Sequence, residues 1–315
     1  MPKGDKINAD NFYSEYHGHH VAHIAKVYEH LRGPDGNRPC VFFAGDSSLD
    51  NKYWFNDWGK ATNGYESILS PPKMKQDIAF WMNDEAQSRN LPWFALNTSV
   101  EASALIDRSI GVLLAQDKFI QDNIRETDTL IVSVGGNDIA LKPTAATIAN
   151  MLALVYFSTE SWVQSAKSCQ CGKWSCGKCT FRPLGLNYFI DLFSNKVRDY
   201  VERLVSKHKP KRVIICMIYF PQEQKIEPCW ADPALGALGY NRSPSKLQRV
   251  IETVFHLATQ NIQIEGTEVV AFPLFKVLDG KNPDDYRARV EPSPLGGEKM
   301  AKALTTVVET PLNRG

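Results

Sequence analysis

The sequence lacks an excess of either charge. Lys and Arg number 36 against 35 Asp and Glu, so no global field points to nucleic acid or to an anionic membrane. It lacks a long apolar run as well. Nothing approaches the roughly 18 apolar residues of a membrane span, and Met1 to Asp10 is polar and charged where a secretory leader needs an apolar stretch. The expected compartment is therefore cytoplasmic. Cysteine is sparse and odd in number, at 7, which argues against a disulfide framework. Histidine is equally scarce, and none follows His256. Internal repeats and low-complexity tracts are absent too.

What the chain does have is a regular alternation of helical and strand patterns. Val21, Ile24, Tyr28 and Leu31 recur at helical spacing until Gly33-Pro34. Cys40 to Ala44 is then short, continuous and apolar, as a strand buried on both faces reads. Further helices are expected near Met74 to Ser88, Ser103 to Ile124, Thr144 to Phe157, Tyr188 to Lys207, Ser245 to Thr259 and Gly297 to Val308. Further strands are expected at Trp93 to Leu96, Thr129 to Val134, Arg212 to Ile218 and Glu268 to Phe272, with a Pro-rich loop over Pro221 to Pro244. Five βα units imply an α/β fold, a three-layer α/β/α sandwich around a five-stranded, parallel, doubly wound sheet of flavodoxin-like type. Residues 1–39 read as an N-terminal helical extension and 40–315 as one domain, with a Cys-rich insertion at 165–182. In such sheets ligands sit beyond the carboxyl ends of the strands, near the point where strand order reverses.

Two loops at that rim carry chemistry. After the first strand comes Gly45-Asp46-Ser47-Ser48-Leu49-Asp50, a tight turn presenting a hydroxyl, and Ser47 is placed as a nucleophile. After the third comes Val134-Gly135-Gly136-Asn137-Asp138, where glycines admit close approach and the Asn137 amide can donate to a developing oxyanion. Either motif alone is ordinary turn chemistry. Their joint placement is not.

In order and spacing, Gly45-Asp46-Ser47-Ser48-Leu49 resembles the first block of the SGNH (GDSL-like) hydrolases, and Gly135-Gly136-Asn137-Asp138 resembles their third. The resemblance covers roughly Cys40 to Val308. It implies an esterase-type activity on a small ester, acyl, acetyl or glycosyl-linked substrate. Ser47 is the implied nucleophile, and oxyanion donors are its own amide, an amide after the second strand and the Asn137 side chain. Asp46, Asn97, Gly135 and Gly136 are implied around the substrate. Leu96-Asn97-Thr98-Ser99-Val100-Glu101-Ala102 is similar to the second block, with Ala102 where the family has glycine. A backbone amide survives that change.

The fourth block departs from the family. Its histidine, preceded by an aspartate, is replaced in Arg287-Ala288-Arg289-Val290-Glu291-Pro292-Ser293: aligning Pro292, Gly296 and Ala301 puts Glu291 at the histidine position and Ala288 at the aspartate position. A serine hydroxyl attacks when a positioned base takes its proton, and a carboxylate is a feeble base unless burial raises its pKa. Three readings stay open: Glu291 as an unusual base, a distant His or Asp completing the site, or an inactive binding module that uses its insert for macromolecular recognition.

Cys169, Cys171, Cys176 and Cys179 place four thiols in a short segment, with Gly172 and Gly177 able to turn the chain, which suits a structural, tetrahedral zinc site with no open position for catalysis. No cofactor is required for the catalysis. Lys167, Lys173, Lys178 and Arg182 surround Trp174 and Phe181, but a solvated charged loop is the commoner meaning of that pattern, so a nucleic-acid partner is not expected. His19 and His23 are spaced to chelate on one helix face, though a solvated face is the expected outcome. Tyr53-Trp54-Phe55 and Trp58 are read equally as pocket lining or as core.

Overall fold

The computed structural model describes residues 6–14, 17–108, 112–168 and 182–312. Five strands, β1 (Cys40–Gly45), β2 (Phe94–Asn97), β3 (Thr129–Ser133), β4 (Arg212–Met217) and β5 (Glu268–Pro273), form one sheet in the order β2-β1-β3-β4-β5. Every pairing in it is parallel. The strand order turns back between β1 and β3, so the loops after β1, β2 and β3 open onto the same rim. This is the α/β/α architecture that the alternation of patterns implied.

The strands read as continuous apolar runs because both faces of the sheet are covered. Cys40, Phe42, Ala44, Leu96, Leu130, Val132, Val213 and Ile215 point into one core, and Val41, Phe43, Ala95, Ile131 and Ile214 into another. Helices α1 (Val21–Arg32), α3 (Ala115–Asn123), α4 (Ala145–Phe157), α5 (Val197–Leu204) and α7 (Pro244–Leu257) pack on the first face. Helices α2 (Ile78–Ser88) and α8 (Pro294–Glu309) pack on the second. Ile24, Val27, Tyr28 and Leu31 of α1 belong to the first core. A short helix, α6 (Asp232–Ala237), lies within the Pro-rich loop after β4, with Leu235 buried beside Ala231 and Tyr240.

Three expected helices differ in extent. Asp77 caps α2 by accepting from the Phe80 amide at 2.8 Å, so Lys73–Lys75 before it is a strand paired with Trp58–Lys60. The region expected as one helix from Ser103 to Ile124 begins with a tight turn, Leu105–Arg108, and α3 starts only at Ala115. The Asp138 carboxylate holds that turn by accepting from the Leu105 and Ile106 amides at 2.8 and 3.2 Å. Ahead of α5 the helix widens over Leu192–Lys196, interrupting the run expected from Tyr188 to Lys207. Among the described residues no helix is long and apolar enough to cross a membrane.

Candidate functional site

At the end of β1 the chain turns sharply. Gly45 has φ +147°, and a Cβ there would sit 1.9 Å from the Ser133 carbonyl oxygen on β3, so only glycine fits. The Asp46 amide donates to that same oxygen at 3.2 Å, and the Leu49 and Asp50 amides donate to the Asp46 carbonyl at 3.0 and 2.9 Å. Ser47 sits at the head of this turn. Asp46 turns back into the loop, accepting from the Ser48 amide at 3.0 Å and the Ser48 hydroxyl at 2.7 Å. Burial raises its pKa to about 6, against the pull of those two bonds.

The loops after β2 and β3 are tied to that turn. The Gly45 carbonyl accepts from the Val100 amide at 2.9 Å, the Ser103 hydroxyl at 3.1 Å and Arg108 Nη2 at 3.0 Å. Arg108 is fully buried, with Nε donating to Asp117 Oδ2 at 2.9 Å. Asn137 Nδ2 donates to the Ser103 carbonyl at 2.9 Å, which leaves its second proton free to face the hollow. Gly135, at φ +102°, is confined by Phe193, whose ring a Cβ would meet at 2.7 Å.

These ties bring Ser47, Asn137 and Glu291 to one hollow with two lobes. The first, about 100 Å³, is largely apolar and continues from Asp46, Ser47, Gly136 and Asn137 toward Ile218, Leu235 and Leu238. The second, about 170 Å³, is walled by Ser47, Trp54, Glu101, Ala102, Asn137, Trp230 and Glu291. Asn97 lines neither lobe. It braces the floor instead: Nδ2 donates to Asp50 Oδ1 at 3.0 Å, and Oδ1 accepts from the Ser99 amide at 3.0 Å. Ala102 has φ +55°, a left-handed conformation that an L-residue with a Cβ adopts at some cost. The sequence places alanine where the backbone asks for glycine.

Glu291 reaches the hollow from a tight turn before α8. Ala288 and Arg289 both have positive φ, at 44° and 65°, and Tyr286–Arg287 pairs antiparallel with Glu291–Pro292. Four contacts fix this turn. Tyr219 donates to the Val290 carbonyl at 2.5 Å, the Gln222 amide to the Arg289 carbonyl at 2.8 Å, Asn51 Nδ2 to the Pro292 carbonyl at 3.0 Å, and Arg289 Nη1 to Asp232 Oδ1 at 3.0 Å. Glu291 is only 1% exposed. Burial raises its pKa to about 8, although Ser47 and Trp230 both approach the carboxyl closely enough to favour its charged form. Neither meets Oε2 in hydrogen-bond geometry, and that oxygen has no partner among the described residues. The family's orienting acid has no counterpart at this turn. Ala288 cannot serve, and nearby Asp285 is engaged by Lys299 Nζ at 2.7 and 2.8 Å.

Two wall residues were not foreseen. Glu101, 2% exposed, accepts from Trp54 Nε1 at 3.0 Å, and burial followed by the charge of Glu291 raises its pKa to about 8. Trp230 enters from the Pro-rich loop. The first aromatic run after the nucleophile divides between roles: Trp54 lines the hollow, Tyr53 is 54% exposed and Phe55 is buried. Trp58 lies apart, with Lys73 Nζ 4.1 Å from its ring centroid.

Among the described residues no histidine lines either lobe. His17 meets Glu101 at its backbone, a ring nitrogen 3.4 Å from the carbonyl oxygen. His19 is not on a solvated helix face: it precedes α1, is buried, stacks on Phe12 and bonds the Phe12 carbonyl at 2.6 Å through Nδ1. His20 caps α1 at the Ala22 amide, and His30 meets the Ser67 hydroxyl at 2.5 Å, so these histidines serve separate structural contacts. Cys169, Cys171, Cys176 and Cys179 lie outside the described residues. Cys40, Cys216 and Cys229 are free thiols, and among the described residues no cluster of three or more His, Cys, Asp or Glu is arranged to hold a metal.

No family model matches the chain, and no curated protein does. Among solved structures it is similar to an aryl esterase of M. smegmatis, at 12% identity over 87% of this chain and 100% of that one, with a TM-score of 0.42. It is similar to an extracellular lipase of Streptomyces rimosus, at 12% identity over 86% and 100%, TM-score 0.40. A carbohydrate esterase family 3 protein from Talaromyces cellulolyticus follows at 11% identity over 86% and 96%, TM-score 0.38. Likenesses this distant carry neither substrate nor mechanism across.

Proposed function

We propose that the chain is an SGNH-type serine hydrolase acting on a small ester or acyl substrate, with Glu291 as the base that activates Ser47. The observation that carries this reading is the buried Glu291 carboxyl beside Ser47 in one hollow, with an oxygen that makes no hydrogen bond among the described residues. An ordinary glutamate is too weak a base for a serine hydroxyl. Burial lifts this one to about 8, into the range where imidazole works.

The step follows from the placement. The Ser47 hydroxyl oxygen bonds to the carbonyl carbon as its proton passes to Glu291. The negative oxygen that forms is met by the Ser47 and Ala102 amides and by Asn137 Nδ2. The carbon–oxygen bond to the departing alcohol breaks as Glu291 returns the proton to it. Water then repeats the sequence on the acyl-serine, using the same base. The apolar lobe suits the acyl portion and the Glu101 lobe the alcohol.

A second reading, recognition without turnover, is favoured by the turn that carries Glu291, where no acid orients it, and by burial, which raises its pKa to about 8. Turnover of short-chain p-nitrophenyl esters by the unmodified protein, Ser47→Ala and Glu291→Gln separates the two. Equal rates for all three proteins end the hydrolase reading. From the sequence alone we also propose that the four thiols at Cys169 to Cys179 hold a structural zinc, to be checked by metal analysis under reducing conditions at about one ion per chain.

A further inference from the structure

The hollow contains a second carboxyl that the acyl-transfer step leaves unused. Glu101 and Glu291, 2% and 1% exposed, share the lobe of about 170 Å³ with Ser47, and Trp54 and Trp230 form part of its wall. Two carboxyl oxygens of these residues, Glu101 Oε2 and Glu291 Oε2, make no hydrogen bond among the described residues, while Ser47 and Trp230 come close to the Glu291 carboxyl. Native folds seldom leave buried acceptors unmet, so two such carboxyls bordering one lobe mark a place for ligand atoms.

The charges around the lobe decide what kind of ligand. Lys52 is close, but both of its contacts, at 2.6 and 2.8 Å, go to Asp50. Asp50 also accepts from the Glu101 amide at 3.1 Å, Lys52 acts on Glu101 only through its charge, and the charge of Asp46 acts on Glu291. Tyr219 adds no positive charge, and His17 meets the outer backbone oxygen of Glu101. Among the described residues no cationic side chain lines the lobe. Two acids beside two indoles, in a lobe that no cationic side chain lines, are set up to receive a cation.

We propose that this lobe is a subsite for an ammonium-bearing alcohol portion of the substrate, held by Glu101 and Glu291 and flanked by Trp54 and Trp230. Below about pH 8 a neutral polyol would leave both carboxyls protonated, because burial, joined by the charge of Glu291 at Glu101 and of Asp46 at Glu291, raises each to about 8. A bound cation favours the charged form of both. The substrate's own charge thereby converts Glu291 to the base that acts on it. That the bound cation belongs to a substrate rests on the hydrolase reading, whereas the cation subsite does not.

The test uses Ser47→Ala, so that nothing turns over, and reads tryptophan fluorescence on titration with 2-(dimethylamino)ethanol and its neutral isostere 3-methyl-1-butanol. At pH 9 the ammonium compound is expected to bind at least about tenfold tighter, with the preference fading toward pH 6 as the carboxyls take up protons. Adding Glu101→Gln should weaken the preference severalfold, with Glu291 retaining the remainder. Should that variant not fold, the pH series alone decides. Equal affinity for the two probes, or a preference that does not change with pH, overturns the proposal. Cation preference in a protein that hydrolyses no ester would leave the subsite standing and remove the hydrolase reading. Ester turnover without cation preference would do the reverse.

Discussion

Arg289 Nη1 pairs with Asp232 Oδ1 at 3.0 Å, and this contact joins the two turns that carry Glu291 and Trp230, each two residues away. Arg289 is 2% exposed and also donates to the Gln222 carbonyl at 3.2 and 3.1 Å and to Asn241 Oδ1 at 2.9 Å. Lys225 first, and Arg289 with it, hold the Asp232 carboxyl well below the usual range. Arg289→Ala is expected to cost roughly 3–5 kcal/mol of stability by opening this network, seen as a large fall in Tm. The milder Asp232→Asn should lower kcat, because it loosens the turn that carries Glu291, and should raise KM as well where Trp230 shifts with its turn. An unchanged kcat would dissociate the ion pair from the base.

For a neutral ester, activity should depend on a single deprotonation. Glu291 acts as base only when ionised, and its pKa is about 8. The rate, kcat/KM, is therefore expected to rise about tenfold per pH unit below that value and to level off above it. Glu291→Gln and Ser47→Ala should each lower the plateau by a factor of roughly 10²–10⁴. A midpoint near 6.5, where an unperturbed imidazole titrates, would transfer the base to a histidine instead.

The contrast between Asn137 and Glu101 explains what the sequence disclosed. Asn137 was legible because a strand-ending motif is local: Gly135 supplies the positive φ and the sheet fixes the direction in which the amide leaves. Glu101 was in plain view beside Ala102, yet its meaning depends on Trp54, 47 positions earlier, and on Glu291, which share no local pattern with it. The strands were legible for a similar reason, since two-sided burial writes itself as unbroken apolar runs. Helix limits were less so, because a distant carboxylate, Asp138, decides that Leu105–Arg108 forms a separate turn. His19 misled because its spacing suits a helix, whereas helix α1 begins at Val21 and the imidazole is drawn into the core by Phe12.

Ala102 offers a test of the oxyanion wall. Its φ of +55° costs an L-residue roughly 1–2 kcal/mol, and a glycine in the same place would lose about 0.4–1 kcal/mol to the greater freedom of the unfolded chain. Ala102→Gly is thus expected to raise stability by up to about 1 kcal/mol, measured by urea unfolding, while the amide stays in position and turnover of small esters persists. A clear loss of stability would mean that the methyl group makes packing contacts that outweigh the backbone strain.

The buried base should also weaken the fold, and the pH dependence gives the sign. In the folded chain Glu291 holds its proton to about pH 8, against an ordinary 4.5. Between those values the folded state keeps a proton that the unfolded chain has released, so this group's contribution to stability declines as pH rises through that window. Below it the group is neutral in both states and contributes nothing; above it the whole cost of a buried carboxylate is present. Glu291→Gln removes that cost, so the variant should melt roughly 3–6 °C above the unmodified protein at pH 9, with the gap closing by pH 4. Glu101 keeps the same sign in both proteins, and losing its charged neighbour eases its ionisation, which adds to the gap at high pH. A variant that is inactive and also less stable at pH 9 would mean that Glu291 is held charged by a partner in solution, and the role of a burial-tuned base would have to be abandoned.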